Sequence, residues 1–128
     1  MDIWVVATWV GKVVFVAFFV MSGISHLVNW KGMTAYAQSK RLPMAGAAVA
    51  VSGLMMLAGG LMILFAWHAI WGAALLVAFL VPAALLMHNF WVETDPMMKA
   101  NQMAHFWKNL TLAAAAVLYA VCVHRGLR

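Results

Sequence analysis

Between Met44 and Met87 the chain runs for 44 residues with a single ionisable side chain, His68. A stretch this long and this apolar admits few structures. Two helices of about 20 residues each would cross a hydrocarbon core ~30 Å thick. An open sheet edge has no hydrogen-bond partners in lipid, and no period-2 alternation supports a barrel. The stretch therefore reads as two membrane spans joined by a tight hairpin at AWHAIWG, with Trp67 and Trp71 placed for an aromatic belt.

Two more segments are long and apolar enough to cross. The four spans expected are Trp4–Val28, Pro43–Trp67, His68–Trp91 and Ala104–His124. A soluble domain is excluded by composition: 67% of the residues are hydrophobic and 9% charged. A core of 128 residues cannot bury so many apolar side chains, so lipid must cover many of them. The expected fold is an all-α integral membrane four-helix bundle, a single domain over residues 1–128. The N-terminal segment lacks a basic start and a cleavage site, so it is expected to be retained as the first span.

The net charge of +5 comes from scattered Lys and Arg, with no basic stripe along a helix. Nucleic-acid binding has no support. Lys12 falls within the first span and is expected to snorkel, since a charge at the bilayer centre costs ~2.5–3.5 kcal/mol or more. Pro82, inside the third span, frees a carbonyl and predicts a kink. The second span is rich in small residues (Gly46, Ala50, Ser52, Gly53, Gly59, Gly60), which suits close helix contact. Asn29–Leu42 forms a polar, partly helical loop. An even number of spans puts Lys31, Lys40, Arg41, Lys99 and Lys108 on the loop side, against Lys12, Arg125 and Arg128 on the terminal side. The positive-inside rule then favours cytoplasmic loops, by a narrow margin.

Polar chemistry concentrates at the loop side, in HNFWVETDPMMKANQMAHFWKN from His88 to Asn109. Topology brings His26, His88 and His105 to the same face of the bundle. Ser22, Ser25, His26 and Asn29 fall at i, i+3, i+4 and i+7, a polar stripe that should face the interior or a wet cavity. His105, Lys108 and Asn109 share a face of the last span. Glu93 and Asp95 are placed to pair with Lys108, Lys99 or Arg41. Three uses fit this cluster: a quinone site that needs proton donors and an aromatic wall from Trp30, Trp91 and Trp107, a metal site, or a satisfied polar cap on the helix ends. No local pair has ligand spacing, so no metal is expected, and no haem attachment motif is present. Cys122 is alone, so no intramolecular disulfide or CxxC redox pair is available. His68 and His124 read as interfacial. The 11 methionines are dispersed, as packing residues are. Phosphate loops, dinucleotide fingerprints and Ser-His-Asp patterns are absent from the sequence.

At these residues the chain resembles the DoxX family of small four-helix bacterial membrane proteins. MHNFW, a short polar loop and HFWKNL resemble the family's H-x-F-W and H-F-x-K-N signature. SGISHL, the RLP before span two and AGGLMIL add to the match, which runs from about Gly11 to Leu118. The resemblance implies an inner-membrane protein with a redox association, since a related member is the membrane subunit of a thiosulfate:quinone oxidoreductase. It marks His88, Phe90, Trp91, His105, Phe106, Lys108 and Asn109 as signature positions. Ser52 and Gly53 stand where many members carry a glutamate, and His26 where a lysine is common. Members that handle thiols through paired cysteines are not models for a chain with Cys122 alone.

The expectation is therefore a membrane subunit of a quinone-linked redox assembly, embedded in lipid and joined to protein partners, with no intrinsic redox cofactor. His88 and His105 would hydrogen-bond a quinone oxygen and Lys108 would stabilise the developing anion. Trp91 and Phe106 would flank the ring, with His26 and Asn109 as orienting groups. The competing expectation is a non-catalytic accessory or assembly subunit. A proton or small-solute path ranks behind both, because no acid lies within a span.

Overall fold

The computed structural model describes residues 1–126, and Arg128 of the charge count lies outside the described residues. Five α-helices follow one another: α1 (Ile3–Val28), α2 (Trp30–Ser39), α3 (Ala45–Leu64), α4 (Ala69–Met87) and α5 (Pro96–His124). Among the described residues there is no strand. α1, α3 and α5, together with the Ala69–Val92 segment that contains α4, are long and apolar enough to cross a membrane. The all-α membrane bundle expected from hydropathy is the fold observed.

Local chemistry sets most of the helix ends. Asp2 accepts a hydrogen bond from the Trp4 amide and caps α1. Asp95 does the same for α5 through the Met98 amide, with Pro96 at the first helical position. The carboxylate thought available for an ion pair is thus a helix cap. Glu93 meets Lys40 instead, at 3.5 Å, rather than Lys108, Lys99 or Arg41. α3 ends where the Trp67 and Ala66 amides bond back to the Met62 and Ile63 carbonyls, with Ala66 in the left-handed region at φ 54°. The tight hairpin follows at once, and its Trp67 and Trp71 are exposed.

The last helix begins eight residues earlier than the apolar segment that announces it. At 29 residues, α5 is about 44 Å long, well beyond the ~30 Å of hydrocarbon. Its first two turns, which carry Lys99, Asn101 and Gln102, therefore stand at the loop face. α4 ends at Met87, and a short 3-10 turn over Phe90–Val92 leads to α5. α4 runs through Pro82 as one continuous helix. Lys12 places its ammonium 5.1 Å from the centre of the Trp9 ring.

In space α1 packs on α3, α3 on α4 and α4 on α5, while α2 lies across the start of α3. Phe19, Met56, Ile63, Leu76 and Leu80 are fully buried where the four long helices meet, and Ala113 and Ala116 let α5 approach. In lipid such a core is held by packing rather than by expulsion of water. That places weight on close approach. A Cβ on Gly23 would stand 2.8 Å from the Gly53 carbonyl, and a Cβ on Gly53 would stand 3.0 Å from the Cβ of His26. The α1–α3 crossing thus needs both glycines, and it sets His26 against α3. Gly59 and Gly72 make the matching contact between α3 and α4.

Candidate functional site

At the loop-side half of the bundle the helices diverge around a cavity of about 430 Å³. α2 forms its roof. Ala37, with Met33 beside it, packs on Ala45, Val49 and Met87, and the Trp30 indole N–H donates to the Gly46 carbonyl at 2.8 Å. An amphipathic helix of ten residues is too short to span but long enough to close one end. Below the roof the wall is apolar, made of residues such as Phe79, Leu80, Met55 and Met56, and the polar groups that reach it are few.

Those groups arrive from every helix. α1 contributes Ser22 and His26, α3 Ser52, α2 Tyr36, the end of α4 His88, and α5 Lys108 and Asn109. The His26 ring donates from Nδ1 to the Ser22 carbonyl at 2.8 Å and lies edge-on to Phe79. Ser52 donates to the Val49 carbonyl at 2.8 Å. His88 stacks on His105, with ring centres 5.1 Å apart and planes 24° apart. The Lys108 ammonium sits 3.4 Å from Nδ1 of His105 and 5.3 Å from the centre of the Phe18 ring. Asn109 is 5% exposed, and no described residue hydrogen-bonds its side-chain amide. Among the described residues the buried side-chain polar atom without a partner is Thr34 Oγ1, whereas the Asn109 side chain lines the cavity.

Two further residues, Tyr36 and Gln102, go beyond those singled out from the sequence. His88 donates from Nδ1 to Oε1 of Gln102 at 2.8 Å, Gln102 donates from Nε2 to the Tyr36 hydroxyl at 2.8 Å, and Tyr36 donates to the Met87 carbonyl at 3.2 Å. This relay separates the cavity from a second, polar pocket at the loop face. There Lys40 donates to Asn89 at 2.9 Å and pairs with Glu93, and Tyr36 and Gln102 line the wall. Gln102 falls three and seven residues before His105 and Asn109, so helical spacing would have found it had α5 been started at Pro96. Tyr36 shares a face of α2 with Met33 and Ala37, a weaker signal.

Of the residues singled out from the sequence, His26, His88, Lys108 and Asn109 line the cavity, and His105 stands behind His88. Trp91 and Phe106 do not line it. They pack edge-to-face with each other and with Phe90, and Phe106 meets Trp107 in the same way, outside the cavity. Trp30 and Trp107 also leave the wall to Phe79, Phe18 and Tyr36. Ser25 and Asn29, the other half of the polar stripe on α1, bond to each other at 3.2 Å away from it. Among the described residues no three of the His, Cys, Asp and Glu side chains converge as metal ligands.

Four membrane-spanning helices, with the short α2 over a His-, Lys- and Asn-bearing half-open cavity, define a small multi-pass membrane protein. The DoxX family model matches residues 7–89, more than half of the chain, and the chain belongs to the DoxX family. It is similar to the inner membrane protein YphA of Escherichia coli (strain K12), with 24% identity over 112 residues, 88% of this chain and 79% of the relative. No solved structure matches significantly. The protein is thus a multi-pass inner-membrane protein with its apolar helix faces turned to lipid.

Proposed function

We propose that the cavity is a quinone site in a membrane redox assembly, with His88 and His26 as hydrogen-bonding groups and Lys108 and Asn109 as the donors on α5. The observation that carries this reading is the chamber itself. About 430 Å³ of mostly apolar space with a few convergent polar groups is the usual make-up of a site for a small, largely hydrophobic ligand. Asn109 lines the chamber, where its amide can meet a polar atom of such a ligand. Phe18 and Phe79 offer ring faces, and Lys108 lies where an oxygen gaining negative charge would be stabilised.

Interconversion of quinone and quinol moves two electrons and two protons. Imidazoles serve for the protons. The electrons are supplied or taken by a redox protein partner, so the chain acts as one subunit of a complex. A purely structural subunit predicts no quinone binding, and one titration separates the two readings. A short-chain quinone at 100 times its dissociation constant should stabilise the purified protein by about 2.7 kcal/mol against unfolding. Asn109→Leu, which keeps the branched shape with somewhat greater bulk and removes the amide, should cut that stabilisation sharply. Absence of stabilisation by any quinone, or its survival in Asn109→Leu, would sink the proposal.

A further inference from the structure

Resting on the quinone reading, we infer that the cavity prefers the reduced, hydroxyl-bearing ring, the hydroquinone, over the oxidised one. The argument concerns where the protons sit on the two imidazoles of the wall. A backbone carbonyl can only accept, so the His26 nitrogen 2.8 Å from the Ser22 carbonyl must be N–H. His88 is fixed less directly. The Met87 carbonyl can only accept, so the Tyr36 hydroxyl donates to it and offers its oxygen to the Gln102 amide N–H. That orientation turns the Gln102 carbonyl oxygen to His88, whose Nδ1 must therefore be the donor. Reversing the Gln102 amide would lose one of the three bonds, because Tyr36 has a single proton to give. Tyr36 and Gln102 are positioning residues for His88.

Both cavity imidazoles, when neutral, thus keep Nε2 as a lone pair. Ser52 has spent its proton on the Val49 carbonyl and likewise offers only acceptance. The donors of the wall are Lys108 and Asn109 on α5 and the Ser22 hydroxyl on α1. A ligand oxygen at His88 meets an acceptor. A quinone carbonyl there would face lone pairs, whereas a hydroquinone O–H would find a partner. His105 stacks on His88, Lys108 lies beside His105, and among the described residues no Asp or Glu lines the cavity, since Glu93 is held by Lys40 at the loop face.

The test uses the full chain in lipid nanodiscs at about pH 8, above the range in which a solvated imidazole takes up a proton. Durohydroquinone and duroquinone are titrated separately without oxygen. Their fully methylated rings avoid addition of the Cys122 thiol. The reduced ring should bind about tenfold more tightly, and Gln102→Met, which releases the His88 ring, should narrow that ratio. In 15N spectra of histidine-labelled protein, His26 and His88 should both carry the proton on Nδ1. Equal or tighter binding of duroquinone, or Nε2–H on both rings, overturns this inference and leaves the quinone site standing. If neither ring binds, both proposals fall.

Discussion

The Tyr36–Gln102–His88 relay makes a quantitative prediction about stability. Tyr36→Phe keeps the ring and removes only the hydroxyl. It strips the partner from the Gln102 amide N–H, on a residue 6% exposed, and uncaps the Met87 carbonyl at the end of α4. Leaving one buried donor unpaired costs about 1–3 kcal/mol, while side-chain hydrogen bonds between membrane helices contribute about 0.6 kcal/mol on average. The expected loss is therefore about 1–2 kcal/mol. Gln102→Leu should cost a similar amount, because it leaves His88 Nδ1–H without an acceptor. The two losses share one bond, so the double variant should be less destabilised than their sum by about 1 kcal/mol. Reversible unfolding in mixed dodecylmaltoside and dodecylsulfate micelles, followed by circular dichroism, gives the four free energies. Additivity within about 0.3 kcal/mol would show that Tyr36 and Gln102 do not act through each other, and the relay would be refuted.

The α1–α3 crossing and the membrane orientation give two further predictions. Gly23→Ala places a methyl 2.8 Å from the Gly53 carbonyl, a backbone atom that cannot rotate away, whereas a Cβ at Gly60 meets nothing nearer than 3.5 Å. Gly23→Ala should destabilise by about 1–3 kcal/mol and Gly60→Ala should be neutral or mildly stabilising, and equal effects in the same unfolding assay would contradict the close crossing. For orientation, Gln38→Cys on α2, in a Cys122→Ala background, should react with a membrane-impermeant maleimide only after the cells are permeabilised. Labelling of intact cells would reverse the orientation inferred from the charges of the loops.

Much of the architecture was legible because it is written at short range. Four apolar runs of bilayer length and the polar spacing on α1 and α5 involve residues within a turn or two of each other. Hydropathy and helical period report such patterns directly. The start of α5 was missed for the same reason. Its first two turns stand at the loop face and are polar, so hydropathy passed over them, although Asp95 and Pro96 together are a helix-start signal.

His26, His88, Lys108 and Asn109 could be nominated from the sequence, because ionisable or amide groups near membrane-spanning segments need interior company. That they line one chamber, and that Trp91 and Phe106 lie outside it, was settled only in three dimensions. The bonds that orient His88 join Tyr36 to residues 51 and 66 positions away. No periodicity connects such residues. Which faces of the helices meet depends on where two backbones approach most closely, here at Gly23 and Gly53, and that contact rotates His26 into the wall. The sequence determined a lipid-embedded four-helix bundle with its polar chemistry at one end. The helix crossings and the roof of α2 turned that end into a cavity, because packing between distant segments, not pattern within them, decides which side chains share a space.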